Sequence, residues 1–301
     1  MTSISTSSST SIHIALTFDD GFWAPAYATM RSVALSTQRP ADIVFHLLHK
    51  NLSPAHRAVL NDIPVEFPGV RTIDHPIAAD PNFAAVKQGF VFKYRRLNDM
   101  VLARLIFDRL LPPEVTRLIY LDCDVMVRTP IERLWDTDLG GKSVGGVIDP
   151  NRQKVMLGTA FRAKADIFEY HQPYINGGVL LIDLKRWAAA DLLGRTEAFR
   201  QSGIIDRLYY DQDIINLVFK NDIAPLDWRW NVGNATRAHE ALEPYIVHYS
   251  GDLKPWGLIP GAAFFSNYRH VMTQEKYYAY LRFRWARNLR RLFSRRRETA
   301  A

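Results

Sequence analysis

The sequence predicts an α/β fold, in which a mostly parallel sheet is flanked by helices and a basic amphipathic helix lies at the C-terminal end. Three observations support this class. Short apolar runs rich in β-branched residues alternate with helical segments, as in parallel sheets covered on both faces. Nearly half of the 301 residues (48%) are hydrophobic, enough for one large core. The chain also lacks the run of ~18 apolar residues that a membrane-spanning helix needs.

The first half of the chain predicts three strands and three helices. Apolar, β-branched runs indicate the first two strands. The third strand has a weaker signal, because Pro68-Gly69 interrupts it. The strongest helix signal stops at Pro112-Pro113, because proline cannot continue a helix. In order, the predicted elements are strand 12–18, helix 24–37, strand 43–48, helix 54–61, strand 65–73 and helix 98–111.

The second half predicts three further strands, at 115–121, 144–148 and 179–184, and a helix at 212–220. We find no internal repeat and no long low-complexity linker, so one main domain with short appendages is the simplest organisation. The predicted divisions are a flexible N-terminal tail at 1–11, a main domain at 12–270 and a basic segment at 271–301.

The strand at 115–121 ends in two carboxylates, Asp122 and Asp124, on either side of Cys123. Like charges at the end of a buried strand repel each other unless a cation lies between them. Magnesium or manganese held by one or two carboxylates usually keeps coordination positions for substrate phosphates, and open α/β sheets bind ligands beyond the carboxyl ends of their strands. The pattern therefore predicts a divalent-cation site. Cys123, the only cysteine, has no disulfide partner in the chain and is expected to pack in the core.

Two further polar motifs lie beside predicted strands. Asp19-Asp20-Gly21 follows the first strand, where a nucleotide base and ribose could bind, although a polar turn explains it equally well. Asn176-Gly177-Gly178 precedes the strand at 179–184, and glycines there would let a ligand approach the backbone. The alternative for the second motif is a bulge or a tight turn.

A third motif places His248, Gly251 and Lys254 within seven residues. Imidazole can complete the coordination of manganese, and lysine is a point charge suited to phosphate. Nine histidines occur in the chain, and a single histidine is more often structural than functional. His248 is nevertheless the one we predict to be a metal ligand.

The net charge of +7 is concentrated at the C-terminal end. Residues 282–301 contain eight arginines and one glutamate, so the rest of the chain is neutral overall. This distribution disfavours a nucleic-acid-binding body. An amphipathic helix with Tyr278, Leu281, Trp285, Leu289 and Leu292 on one side and Arg284, Arg287, Arg290 and Arg291 on the other suits an anionic membrane surface. The alternative is a helix packed on the body with a solvated arginine end.

Six motifs together resemble the retaining glycosyltransferases of family 8, most closely the bacterial lipopolysaccharide α-galactosyl- and glucosyltransferases. They run in order from Ile12 to Trp256, and a basic, aromatic C-terminal tail also looks like that family. The motifs are FDDG at 18–21, IYLDCD at 119–124, LWDTDL at 134–139, INGGVLLI at 175–182, YDQDIIN at 210–216 and HYSGDLKPW at 248–256.

The resemblance implies a Rossmann-like fold of the GT-A type and assigns roles to individual residues. Asp122, Asp124 and His248 would hold Mn²⁺, with Mg²⁺ as the alternative, against the diphosphate of a UDP-hexose. Many relatives have Asn where this chain has Gly21, so a side-chain contact to the uridine is missing there. The implied donor-binding residues are Asp19, Gly21, Arg104, Asp122, Cys123, Asp124, Asn176, Gly177, His248, Gly251 and Lys254. The implied catalytic residues, around the donor sugar and its anomeric carbon, are Arg104, Asp149, Asp211 and Gln212.

The implied reaction transfers galactose or glucose from UDP to a saccharide or lipid-linked glycan acceptor. An amide is a poor nucleophile, so we favour a same-face mechanism in which the leaving phosphate helps to deprotonate the acceptor, with Asp211 as the competing carboxylate nucleophile. Two other functions stay open, namely a metal-dependent nucleotidyl- or phosphotransferase and a non-catalytic sugar-nucleotide-binding protein. The expected location is cytoplasmic, peripheral on the inner face of the cytoplasmic membrane, with no nucleic-acid partner.

Overall fold

The computed structural model describes residues 11–90, 98–150, 166–169, 171–257 and 261–298, with side chains described as far as residue 290. Ten strands are present in this part of the chain. They are β1 (Ile12–Asp19), β2 (Ile43–Lys50), β3 (Arg71–Pro76), β4 (Arg117–Leu121), β5 (Val125–Val127), β6 (Val144–Ile148), β7 (Ile175–Asp183), β8 (Ile223–Pro225), β9 (Val232–Gly233) and β10 (Ile246–His248).

Seven of these strands form one sheet in the order β3-β2-β1-β4-β7-β6-β8. Strand β7 runs antiparallel to both of its neighbours, β4 and β6, whereas the other four pairs of adjacent strands are parallel. The prediction of a mostly parallel sheet is therefore confirmed. The parallel arrangement brings the carboxyl ends of β1 and β4 to the same edge of the sheet.

Helices flank the sheet, as predicted. They are α1 (Trp23–Ser36), α2 (Pro54–Leu60), α3 (Asp62–Glu66), α4 (Pro81–Lys87), α5 (Phe107–Leu110), α6 (Glu132–Trp135), α7 (Leu184–Ala189), α8 (Leu192–Gln201), α9 (Tyr210–Val218), α10 (Phe265–Met272) and α11 (Gln274–Glu298). Successive side chains of a strand point to opposite faces of a sheet. In β4, Ile119 and Leu121 accordingly belong to one buried cluster, and Leu118 and Tyr120 belong to another.

Three predicted elements differ from the structure. Residues 65–73 are not one strand, because α3 ends at Glu66, Gly69 takes a φ of +100°, and β3 begins only at Arg71. The helix predicted at 98–111 begins and ends where expected, but Asp99–Ile106 has 3₁₀ geometry and only the last turn, α5, is an α-helix. The strand predicted at 179–184 begins four residues earlier, at Ile175, so its glycines lie inside the strand.

A second, three-stranded sheet was not predicted from the sequence. Its order is β5-β10-β9, with β10 antiparallel to β5. The register pairs His248 with Val125, the residue that follows Asp124. This pairing brings two segments that are more than a hundred residues apart in the chain to the same point.

The C-terminal helix α11 packs against the body through its first half. Tyr277, Tyr280 and Leu281 are buried in a cluster that includes Trp23 and Trp256. An apolar stripe formed by Tyr278, Trp285 and Leu289 stays exposed, at 50%, 58% and 50% of its surface. Leu281, predicted to lie on the same side as these three residues, is instead on the face of α11 that packs against the body. Among the helices described, none combines the length and apolar character needed to cross a lipid bilayer.

The faces predicted for the basic helix also differ from those observed. Arg284, expected on the solvated side, donates from Nη1 to the carbonyl oxygen of Trp256 at 2.9 Å. The predicted division at residue 270 falls inside α10, and the division into domain and tail stays a prediction. Residues 1–10, most of the predicted N-terminal tail, and residues 299–301 lie outside the described part of the chain.

Candidate active site

The candidate site lies where β1, β4 and β7 meet at one edge of the main sheet. Asp19 ends β1, and Asp122 follows the last residue of the neighbouring β4. Because β7 is antiparallel to β4, its beginning lies at the same edge, and the amide of Asp122 donates to the carbonyl oxygen of Gly178 at 2.8 Å. Strand order therefore assembles three of the predicted motifs.

Asp122, Asp124 and His248 converge on one point. Each offers one ligand atom, and these atoms lie within 4.8 Å of one another, the only such group of three found among the described residues. The Nε2 atom of His248 is 3.3 Å from Oδ1 of Asp124 and 3.6 Å from Oδ2 of Asp122. Two carboxylates and an imidazole form a donor set that fits manganese.

The orientation of His248 is fixed by Asn231. The Nδ1 atom of His248 lies 2.8 Å from Oδ1 of Asn231. An amide oxygen only accepts hydrogen bonds, so Nδ1 carries a proton, and Nε2, the nitrogen that could bind a metal ion, faces the two aspartates. Sequence reasoning missed Asn231, because the segment between β8 and β9 carries no recognisable signal.

Gly178 provides the space that His248 occupies. A Cβ atom at this position would lie 2.2 Å from Cε1 of His248 and 2.8 Å from Oδ2 of Asp122. Both separations are far below van der Waals contact. The second glycine of the predicted motif therefore makes room for two residues of the candidate cation site, and a side chain at this position of β7 would collide with both.

The charges of this cluster are strongly coupled. Burial opposes ionisation of Asp124, but the positive charges of His248 and Lys254 outweigh it and lower the pKa of Asp124 below its usual value. Burial also disfavours the protonated form of His248, yet Asp124 and Asp122 outweigh it and raise the pKa of His248. Lys254 donates to Oδ2 of Asp124 at 2.7 Å. The two carboxylates are thus held in place by the positive groups around them.

Arg104 lies behind the cation site and is 5% exposed. Its guanidinium contacts Oδ1 of Asp122 at 3.0 Å, Oδ2 of Asp211 at 2.9 Å and the carbonyl oxygen of Gly177 at 2.6 Å. Burial disfavours the charge, but the two acids outweigh it and raise the pKa of Arg104. Burial likewise raises the pKa of Asp211 to about 6 despite the adjacent guanidinium. Arg104 and Asp211, both predicted to be catalytic, therefore form an ion pair with each other.

Asn176, Gln212 and Asp149 form a hydrogen-bond network next to this pair. Nε2 of Gln212 donates to Oδ2 of Asp149 at 3.0 Å, and Oε1 of Gln212 accepts from Nδ2 of Asn176 at 3.3 Å. Oδ1 of Asn176 accepts from Asn231 at 2.9 Å. One continuous network therefore joins the predicted sugar-contacting residues to His248.

The remaining predicted residues surround these groups. Asp19 accepts from the amide of Gly21 at 2.8 Å and from Nδ2 of Asn98, a residue that sequence reasoning missed, at 2.7 Å. A Cβ at Gly251 would lie 2.2 Å from Oδ1 of Asn234, so any larger residue would have to displace that side chain. The thiol of Cys123 points into the core, where it lies 3.7 Å from the carbonyl oxygen of Thr17 and burial raises its pKa. Cys123 can therefore face the site only through its backbone.

Comparison with known proteins agrees with this site. Residues 13–259 match the family model described as "Glycosyl transferase family 8". The chain is 28% identical to "Probable galacturonosyltransferase-like 5" of Arabidopsis thaliana over 267 residues, which cover 81% of this chain and 71% of that protein.

Two solved structures of glycosyltransferases are also similar to this chain. The galactosyltransferase LgtC, in complex with donor and acceptor sugar analogues, is 28% identical, with a TM-score of 0.69 over 87% of this chain and 95% of LgtC. Mouse xyloside xylosyltransferase 1, at 20% identity, shares the fold, with a TM-score of 0.59 over 80% of this chain and 97% of that protein. The protein has the GT-A fold of LgtC, and the matched residues span most of the chain, including every candidate site residue described above. The chain therefore belongs to glycosyl transferase family 8.

Proposed function

We propose that the protein is a retaining hexosyltransferase that uses Mn²⁺ to transfer galactose or glucose from a UDP-sugar to a saccharide acceptor. The observation that carries this proposal is the convergence of Asp122, Asp124 and His248 at the carboxyl edge of the sheet. An imidazole in the donor set favours manganese, whereas magnesium prefers oxygen ligands alone. When bound, the cation supplies Lewis-acid neutralisation of the charge that develops on the departing diphosphate.

Lys254 is the second positive charge proposed for the diphosphate. Its Nζ atom is 2.7 Å from Asp124, so a phosphate held by the cation site would lie within reach of the ammonium group. Gly251, on the same segment, is proposed to receive the diphosphate through its backbone. Asp19, at the end of β1, is proposed to contact the uridine. These residues bind and orient the leaving group, and the fixed positive charge makes its departure easier.

Arg104, Asp149, Asn176 and Gln212 are proposed to position the donor sugar. The Oε1 atom of Gln212 already accepts from the amide of Gly177 at 3.1 Å and from Asn176, so its lone pairs are engaged. This arrangement argues against Gln212 as a nucleophile. It supports a same-face reaction, in which the bond from C1 to the phosphate oxygen breaks, the acceptor oxygen bonds to C1 on that face, and its proton passes to the phosphate.

Asp211 is the competing nucleophile. Its carboxylate is 2.9 Å from Nε of Arg104 and is 6% exposed, so the ion pair would have to open before attack. A glycosyl adduct trapped on Asp211 and identified by mass spectrometry would overturn the same-face mechanism. The hexosyltransferase proposal would survive that result.

The proposed acceptor is lipopolysaccharide or another lipid-linked glycan, reached from the inner face of the cytoplasmic membrane. The exposed stripe of Tyr278, Trp285 and Leu289 on α11, with exposed Arg282 and Arg290 beside it, supports a surface-bound helix. Replacing the three stripe residues with serine should abolish flotation with anionic liposomes while activity on a soluble acceptor persists. Unchanged flotation would exclude membrane binding by this stripe.

The decisive experiment incubates the protein with Mn²⁺ and a panel of UDP-sugars. UDP-galactose and UDP-glucose test the proposal, and UDP-galacturonic acid is included because relatives are named galacturonosyltransferase-like. We expect slow UDP release from one hexose donor, a product with the donor's anomeric configuration, and loss of activity in Asp124→Asn. Asp136→Asn, an exposed acid in a surface turn, is the matched control.

Other outcomes identify the alternatives. Cleavage of nucleoside triphosphates in place of UDP-sugars would indicate a nucleotidyl- or phosphotransferase, although the sequence has no phosphate loop of the Gly-x-x-x-x-Gly-Lys kind. Tight UDP binding without turnover of any donor would indicate a sugar-nucleotide-binding protein. Either result would overturn the proposed transferase.

A further inference from the structure

The C-terminal helix reaches the nucleotide end of the candidate site. The hydroxyl of Tyr280 donates to the carbonyl oxygen of Gly21 at 2.9 Å, and Arg284 holds the carbonyl oxygen of Trp256. Tyr280, Arg284 and Arg287 follow one another at helical spacing, so they share one face of α11. The hydrogen bonds of Tyr280 and Arg284 therefore fix α11 so that Arg287 lies at the end of β1.

Arg287 occupies the space that a side chain at position 21 would fill. A Cβ atom built on Gly21 would lie 2.4 Å from Nη1 of Arg287 and 2.9 Å from Oδ1 of Asp19. The guanidinium thus lies beside the carboxylate that is proposed to contact the uridine. The backbone of Gly21 is not in the left-handed region, so a side chain at this position would be tolerated only if it displaced the guanidinium of Arg287.

The guanidinium of Arg287 has no protein acceptor among the described residues. Its Nε atom is buried without a hydrogen-bond partner. The guanidinium carbon, Cζ, lies 5.4 Å from the centroid of the Phe283 ring. Buried guanidinium N–H groups are costly when unpaired. Arg290, one turn further along, is exposed and needs no such partner.

We infer that Arg287 binds the uridine part of the donor nucleotide, donating hydrogen bonds to base or ribose oxygens. The inference rests on the proposed function, which places a UDP-sugar at this edge. The diphosphate has its own positive charges, the cation site and Lys254, so Arg287 beside Asp19 is assigned to the uridine. The C-terminal helix then contributes directly to donor binding.

The experiment measures dissociation constants for uridine and for UDP in the presence of Mn²⁺. In Arg287→Ala we expect affinity for both ligands to fall by about tenfold or more, as for loss of a hydrogen bond to a charged donor. Arg290→Ala removes the same charge from the same helix and should leave both constants unchanged. Arg287→Lys, which keeps the charge but loses the planar fork, should recover only part of the affinity.

A second variant tests the steric argument. Gly21→Ala should displace the guanidinium and weaken uridine binding, and the double variant with Arg287→Ala should be no weaker than Arg287→Ala alone. If Arg287→Ala unfolds, Arg287→Met keeps the apolar stem over Phe283 and replaces it in the test.

Three outcomes would overturn the inference: unchanged uridine affinity in Arg287→Ala, a loss confined to UDP, or a loss confined to binding of anionic vesicles. Failure of the unmodified protein to bind uridine or UDP would instead overturn the proposed function, so the two failures are distinguishable.

Discussion

Gly178→Ala is the most direct test of the cation site, because it changes none of the proposed ligands. Carbon atoms in contact lie about 3.5–4.0 Å apart, whereas the new Cβ would lie 2.2 Å from Cε1 of His248. The imidazole must therefore retreat by roughly 1.3 Å or more. Metal–ligand distances tolerate about 0.2 Å, so the three ligands can no longer meet. We expect the affinity for Mn²⁺ to fall on the order of 100-fold.

Thermal unfolding at saturating UDP, with Mn²⁺ titrated, measures this loss. At a Mn²⁺ concentration 100 times the dissociation constant, binding stabilises the native protein by about 2.7 kcal/mol. The same concentration would give Gly178→Ala only about 0.4 kcal/mol. In a protein of this size the difference corresponds to a shift in Tm of about 4 °C.

Gly261→Ala is the control for a generic glycine replacement. Its Cβ would first meet Leu253 Cδ2 at 3.4 Å, an ordinary contact, so its Mn²⁺-dependent shift should equal that of the unmodified protein. A Gly178→Ala protein that folds and keeps the full Mn²⁺ shift would refute the assignment of His248 and Asp122 as ligands. A variant that loses the shift but keeps its metal-free Tm would support it.

Asn231, His248 and Asp211 can each be tested by one measurement. Asn231→Ala removes the acceptor of the His248 Nδ1–H group and leaves all three proposed ligands in place. The Mn²⁺ concentration needed for half saturation should therefore rise about 10–100-fold. An unchanged titration would show that Asn231 does not orient the ring. Asp124 and Asp122 outweigh burial and raise the pKa of His248 above 6.5. Because a protonated imidazole cannot bind the metal, the apparent affinity for Mn²⁺ should fall by up to about tenfold per pH unit as the pH decreases through that raised pKa. An Mn²⁺ affinity that does not change between pH 8 and pH 6 would contradict this. Burial raises the pKa of Asp211 to about 6, so its ionised form destabilises the metal-free fold above that pH. Relative to Asp211→Asn, the free energy of unfolding should rise by about 2 kcal/mol as pH falls from 7 to 4. Urea denaturation that gives parallel pH profiles for the two proteins would exclude this effect.

Regular strands and their polar ends could be predicted from the sequence, because their periodicity is local. The runs at 12–18, 43–48 and 115–121 each became a strand of the main sheet, and the aspartates that follow the first and the third run, Asp19 and Asp122, lie at one edge. The 3₁₀ geometry of Asp99–Ile106 could not be predicted, since apolar spacing does not separate it from an α-helix.

The juxtaposition of His248 with Asp124 had a different origin. The sequence singled out His248 only through a motif, because strands of two or three residues, such as β9 and β10, have too few residues for any alternation. The antiparallel register of β10 with β5 then places His248 opposite Val125. Asn231 was missed for the same reason, because its role exists only once that small sheet has formed.

The roles of Gly178 and Gly21 could not be predicted from the sequence, because each depends on which distant side chain fills the space beside the glycine. Gly178 was predicted to open the backbone to a ligand, but the space it leaves is filled by the imidazole of His248. Gly21 was interpreted as a lost uridine contact, whereas the space it leaves is filled by the guanidinium of Arg287. In both cases the missing Cβ lets a residue distant in sequence enter the site. Substitutions at these glycines should therefore act through their partners, and double variants with the partner should be less than additive.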